Sequence, residues 1–222
     1  MLEIALTGSR YSGKSTVSKV FNQIHIPVFD ADTVLKFILN FRTYVEEPIK
    51  SNVGSFVYKG SHIDPNAFVC DSIFDRTIDV VEFELFQAWE SFKKKNKNAA
   101  YVIFKSSILF ERNWHTRFKK VISVFAPKDE RVLRCKYETG MRIEYIWELL
   151  SKEMSELDKN SKSHYIIHNY DEAPDIIEQI NRIDEKIVNY YLENLNIKKN
   201  KEKDFSDNIM NSFFENNLRF LR

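Results

Sequence analysis

Five short blocks of nearly unbroken apolar character run along the chain: Leu2-Glu3-Ile4-Ala5-Leu6, Ile26-Pro27-Val28-Phe29, residues 99–104, residues 121–125 and Tyr165-Ile166-Ile167-His168. Continuous runs of this kind predict strands buried on both faces, because a strand with one wet face would alternate apolar and polar positions. Between them apolar residues recur at helical spacing. Val17, Val20, Phe21 and Ile24 fall at i, i+3, i+4 and i+7 and predict a helix over 14–24. Val34, Phe37, Ile38 and Phe41 predict another over 33–41, and Ile176, Ile177, Ile180, Ile183 and Ile187 a closing helix over 173–195. Residues 129–138 read as a helix, and 140–159 as a polar, charged helical stretch. The opening strand, helix and strand imply a parallel pair joined by a right-handed crossover. Residues 42–97 offer no clear parallel strand: Gly54 and Gly60 mark loops, Asp64-Pro65 a helix start, and 68–74 and 78–92 helices that end in Lys93-Lys94-Lys95. After a charged linker at 198–203, residues 204–222 read as an amphipathic helix with Ile209, Phe213, Phe214, Leu218 and Leu221 on one side. A packing element and a partner-binding helix both fit that segment.

The junction of the first strand and first helix carries chemistry. Gly8-x-x-x-x-Gly13-Lys14-Ser15 has the spacing of the phosphate-binding P-loop. Backbone N–H groups of such a loop and of the helix N-terminus converge on one anion. Lys14 is placed to reach the β- and γ-phosphates of ATP, and the Ser15 hydroxyl to hold Mg²⁺. Gly8, Tyr11, Ser12, Gly13, Lys14, Ser15 and Thr16 form the expected ATP-binding set. A chance Gly-Lys-Ser turn with a solvated lysine is the competing reading. The second strand ends in Asp30-Ala31-Asp32, which falls beyond the carboxyl ends of the strands, where ligands of such sheets bind. From the residues alone, the acids fit either a helix N-cap or catalytic carboxylates. If the segment is still extended there, Asp30 points away from Asp32.

Composition narrows the class. The 222 residues hold 33 basic and 32 acidic side chains, a net charge of +1, which argues against a dedicated nucleic-acid binder. Two distant cysteines, Cys70 and Cys135, make neither a disulfide framework nor a metal set, and fit a reduced, cytoplasmic setting. No basic n-region precedes the first strand, so no signal peptide is expected. No apolar stretch reaches the ~20 residues that would span a membrane. His164 and His168 are four apart on an expected strand, too far for one metal ion.

Together these segments resemble the dephospho-coenzyme A kinase family over roughly residues 2–190. The likeness is sharpest in Ala5-Leu6-Thr7-Gly8, Gly13-Lys14-Ser15-Thr16-Val17 and Val28-Phe29-Asp30-Ala31-Asp32. Ile108-Leu109-Phe110-Glu111, the arginine-bearing helix that includes Arg134, and Ile167-His168-Asn169 echo it further. The resemblance implies an α/β fold of P-loop kinase type: a three-layer α/β/α arrangement on a parallel sheet, with a helical acceptor insertion and a lid. Segments 1–41, 98–139 and 161–195 would form the nucleotide-binding core, 42–97 the insertion and 140–160 the lid, while 196–222, read as a C-terminal helical extension, lies outside the resemblance. It implies phosphoryl transfer from ATP, with Mg²⁺, to the 3′-hydroxyl of dephospho-CoA, a small-molecule acceptor. No nucleic-acid or membrane partner is expected, and a monomer is the default. Asp32 takes the base position beside Lys14, and Asp30, Asp32 and Arg142 the acceptor side. Arg134 and Asn169 join the ATP side, although a solvated helix arginine and a turn asparagine fit those positions too. Arg131 is a further clamp candidate.

The chain departs from the family in its loop interior, Ser9-Arg10-Tyr11. It has Lys105 where an acid is expected, Ser107 for a proline, Tyr137 for an arginine and Glu153 for a lid glutamine. A kinase of another acceptor, such as a nucleoside monophosphate, and a nucleotide-binding interaction protein without turnover are the alternatives these departures motivate.

Overall fold

The computed structural model of the chain describes residues 1–60, 62–63 and 71–196. Five strands, β1 (Leu2–Thr7), β2 (Val28–Asp30), β5 (Tyr101–Lys105), β6 (Lys120–Phe125) and β7 (Tyr165–His168), form one parallel sheet in the order β2-β5-β1-β6-β7. All five apolar blocks are therefore strands. One expectation needs correcting: β1 and β2 are not hydrogen-bonded neighbours, because β5 lies between them. Ile4 pairs with Ile103 on one side of β1 and Leu6 with Ile122 on the other, while Asp30 of β2 faces Lys105 of β5. The chain runs from β1 to β2 and back to β5 on one side of β1, then crosses to β6 and β7 on the other, so the strand order reverses about β1, and the carboxyl ends there are where ligands of open α/β sheets bind.

Helix α1 (Lys14–Gln23) follows β1 after the loop of residues 8–13, and α2 (Ala31–Phe41) follows β2 directly. The predicted inward face of α2 is rotated. Leu35 and Ile38 are buried, but Phe37 and Phe41 are 48% and 66% exposed and lie tilted against each other instead. The insertion contains α3 (Glu46–Asn52), a two-stranded antiparallel hairpin of β3 (Tyr58–Lys59) and β4 (His62–Ile63), and α4 (Asp71–Lys95), so it is not wholly helical. The Asp64-Pro65 helix start, the first residues of the 68–74 helix and Cys70 lie outside the described residues.

Helix α4 packs on the sheet through Ile78, Val81, Leu85 and Trp89, all buried. Trp89 meets Phe29, Phe104 and Phe118 at ring-centroid distances of 5.4, 5.3 and 6.1 Å, and its Nε1 donates to Glu3 at 3.1 Å. That contact accounts for a glutamate inside an otherwise apolar strand. The rest comprises α5 (Lys128–Thr139), α6 (Ile143–Ser151), α7 (Glu156–Ser161) and a helix over 176–196, in which Ile177, expected inward, is exposed. Residues Met1–Ile180 form one compact unit and a second begins at Asn181. The 198–203 linker and 204–222 helix lie outside the described residues. No described helix is long and apolar enough to cross a membrane.

Candidate active site

The chain leaves β1 at Thr7 and enters α1 at Lys14 through a loop that two glycines make possible. Gly8 has φ 145°, and a Cβ there would stand 2.4 Å from the Val124 carbonyl oxygen. Gly13 has φ 93°, and a Cβ there would stand 1.8 Å from Asn169 Nδ2. Only glycine fits either place. Lys14 folds back into the loop, donating to the carbonyls of Gly8 at 2.8 Å and Ser9 at 2.9 Å. Burial lowers its pKa to about 8; the Asp32 carboxylate opposes the shift and the Lys159 ammonium adds to it.

Tyr11 takes φ 62°, a left-handed conformation that costs a bulky residue about 1–3 kcal/mol. Its side chain packs on the cluster of Val132, Cys135, Ile146 and Leu150, and burial pushes its phenol up to about 12, with Cys135 adding to the shift. Arg134 holds the same residue, donating from Nη1 to the Tyr11 carbonyl at 3.3 Å and from Nη2 to the Asn169 carbonyl at 2.9 Å. Asn169 Nδ2 donates to the Ser12 carbonyl at 2.7 Å. Packing and hydrogen bonding thus hold the strained turn in place.

The two acids divide their roles. Asp30 caps α2, accepting from the Thr33 N–H at 3.2 Å, and pairs with Lys105 Nζ at 2.6 Å. Burial pushes its pKa up, but Lys105 and the Thr33 bond outweigh that and hold the carboxyl below its ordinary range. Asp32 is not the cap. It lies inside α2, which begins at Ala31, so the extended-segment argument does not apply to it. Its carboxylate accepts the Ser107 N–H at 3.0 and 3.1 Å and the Ser107 hydroxyl at 3.0 Å.

A cavity of about 830 Å³ joins these parts. Arg10, Tyr11, Gly13, Lys14, Ser15, Thr16, Arg134 and Asn169 line one side. Asp32, Lys105 and Ser107 sit between this side and a mainly apolar wall of Leu35, Leu39, Ile63, Phe74, Ile78 and Ile108. Asp30, predicted on the acceptor side, does not line it, because Lys105 and the helix cap hold its carboxylate. Arg142 does not line it either; its side chain is 75% exposed and pairs with Glu144. Arg131 is buried away from the cavity and pairs with Glu153 at 3.2 Å and Glu156 at 3.1 Å. Glu153 in turn accepts the Arg10 N–H at 3.2 Å, so the segment after α6 grips the loop. The sequence singled out Ser107 only as a departure from the proline of the resembled family and gave it no site role, and the apolar wall was missed.

The protein-family model described as dephospho-CoA kinase matches residues 72–175. The dephospho-CoA kinase of Acinetobacter baylyi is 22% identical over 195 residues, which cover 86% of this chain and 100% of that protein. Among solved structures, TT1252 from Thermus thermophilus is similar with a TM-score of 0.69 at 25% identity, over 85% of this chain and 97% of that one. The dephospho-CoA kinase from Campylobacter jejuni shares the fold, with a TM-score of 0.56 at 18% identity over 84% and 97% of the two chains.

Proposed function

We infer that this chain, a divergent relative of the dephospho-CoA kinases, transfers the terminal phosphoryl group of ATP to the 3′-hydroxyl of dephospho-CoA. One observation carries the reading: Lys14 of a phosphate loop and Asp32, a carboxylate not spent on a helix cap, line the same cavity. On nucleotide binding Lys14 would exchange the Gly8 and Ser9 carbonyls for phosphate oxygens, alongside the N–H groups at the start of α1. Ser15 and the phosphates themselves would hold Mg²⁺, which when bound neutralises phosphate charge. Arg134 and Asn169 brace the loop from the nucleotide side. The acceptor hydroxyl oxygen forms its bond to the γ-phosphorus as the bond from that phosphorus to the bridging oxygen breaks. ADP leaves with the electron pair, and Asp32 takes the hydroxyl proton. The apolar wall suits the uncharged arm of the acceptor. On this reading 42–97 is the acceptor-binding insertion and 140–160 a lid that excludes water.

The test is ADP release by the purified chain with ATP and Mg²⁺, with and without dephospho-CoA. Turnover should depend on that acceptor. Asp32→Asn should lower kcat by about 10²–10³-fold while ATP still binds. Faster turnover of a nucleoside monophosphate would overturn the acceptor assignment. ATP binding without transfer to any acceptor would overturn the enzyme assignment.

A further inference from the structure

The end of β5 pairs two acids with two donors. Asp30 and Lys105 face each other across the β2–β5 ladder, and two residues further along each segment Asp32 meets Ser107. The contacts on Asp32 are unequal. The Ser107 N–H lies nearly midway between the carboxylate oxygens, 3.0 Å from Oδ1 and 3.1 Å from Oδ2. The Ser107 hydroxyl donates to Oδ1 alone, at 3.0 Å. Each carboxylate oxygen has acceptor capacity for about two donors. Oδ1 is thereby filled, while Oδ2 keeps room for one more. The backbone contact cannot tell the two oxygens apart, so the hydroxyl alone sets the difference. Lys105 holds the neighbouring acid, which leaves Asp32 as the member of the pair with an open acceptor site in the cavity.

We propose that Ser107 is a positioning residue for phosphoryl transfer: it turns the Asp32 carboxylate so that Oδ2 receives the proton of the acceptor hydroxyl. This rests on Asp32 being the base of the reaction inferred above. The proton passes from the acceptor oxygen to Oδ2 as that oxygen bonds to phosphorus, and ADP leaves with the electrons of the broken bond. Ser107 acts only through Asp32. The torsion that turns a carboxylate is soft, so losing the hydroxyl leaves the shared N–H anchor but no longer fixes the plane in which the outward oxygen is presented.

Steady-state kinetics of the full chain with ATP, Mg²⁺ and dephospho-CoA test this. Ser107→Ala should lower kcat about tenfold and leave both KM values within about twofold, the size expected for one charged hydrogen bond and lost alignment. Ser107→Thr should restore most of kcat. In an Asp32→Asn background Ser107→Ala should have no further effect, since the residue it positions is already disabled. Should the alanine variant fold poorly, Ser107→Cys, nearly isosteric but a weak donor, should lower kcat in the same direction. A fall in kcat of equal size in the Asp32→Asn background overturns the proposal, as does an effect confined to KM or no rescue by threonine. Wild-type transfer with Ser107→Ala unchanged overturns the proposal while leaving the function intact. No transfer by the wild type overturns both.

Discussion

Lys14 is a cation stored in a place that disfavours its charge. Burial holds its pKa near 8, below the 10.5 of a free lysine, so the folded chain releases this proton before the unfolded chain does. Between about pH 8 and 10.5 the unfolded state binds more protons, and this group's contribution to stability rises with pH. Below pH 8 both states are charged and the burial penalty is fully present. A polyphosphate beside the ammonium reverses the shift. On ATP binding Lys14 should therefore take up about half a proton near pH 8, and this group should contribute almost none near pH 6. Calorimetric titration in buffers of different ionisation enthalpy measures this directly. Lys14→Arg, whose charge is permanent, should bind with no uptake; equal uptake in that variant would place the titrating group elsewhere. At this scale the sequence was informative about residue type and silent about partners. Gly8, Gly13 and Lys14 were legible because each has one conformational or chemical reason to stand in that loop. The division between Asp30 and Asp32 was not, because an acid that caps a helix and one that does not are spelled alike. The structure separates them by where α2 begins and by Lys105, whose register with Asp30 no local pattern reveals.

Among elements, strands were the most legible and helix faces the least. A buried parallel strand must be apolar on both sides, so a short run identifies it without deciding a face. Helix α2 required a choice of face. The helical spacing of Val34, Phe37, Ile38 and Phe41 pointed Phe37 and Phe41 inward, whereas those rings lie against each other and Phe37 lies under the Arg42 guanidinium, 5.4 Å away. The neighbour order of the strands was also beyond the pattern, because β5 reaches its place between β1 and β2 only after the insertion. Helix α4 is the element that fastens this insertion to the sheet. Trp89 is 2% exposed, touches three sheet-side rings and satisfies Glu3. Trp89→Ala should cost about 3–5 kcal/mol through lost transfer energy and the cavity left behind. Chemical denaturation followed by circular dichroism should show a lower midpoint with an unchanged slope. Trp89→Phe should keep most of the packing while leaving the Glu3 carboxylate one donor short, and so fall between the two.

Across the molecule, the site depends on segments far apart in the chain meeting at the carboxyl end of β1. The first sixteen residues announce a phosphate site, and Asp30-Ala31-Asp32 marks the neighbouring strand end. Which arginine of α5 lines the cavity is decided only by packing. Arg131 and Arg134 lie three apart on one helix, and the sequence offered both as clamps. Arg131 turns inward to Glu153 and Glu156, with its side chain 4% exposed. Arg134 turns to the loop, lines the cavity and stays 30% exposed. The two should separate in experiment. Arg131→Met leaves the largely buried Glu156 without its Arg131 partner and Glu153 held by Arg10 alone, and should cost about 3–5 kcal/mol, as breaking a buried ion pair does. At a temperature where that variant is folded, its KM for ATP should stay within about twofold of wild type, since no phosphate contact has gone. Arg134→Met should do the reverse. Its stability loss should be about 1 kcal/mol, the scale of a partly exposed pair, while its KM for ATP rises about tenfold, the worth of one charge-assisted contact. The loop is gripped by Glu153 of the segment after α6, so a large rise in KM for Arg131→Met would mean that this grip, rather than Arg134, sets the loop for the nucleotide. Thermal melts and ATP titrations on the same two preparations decide between these assignments.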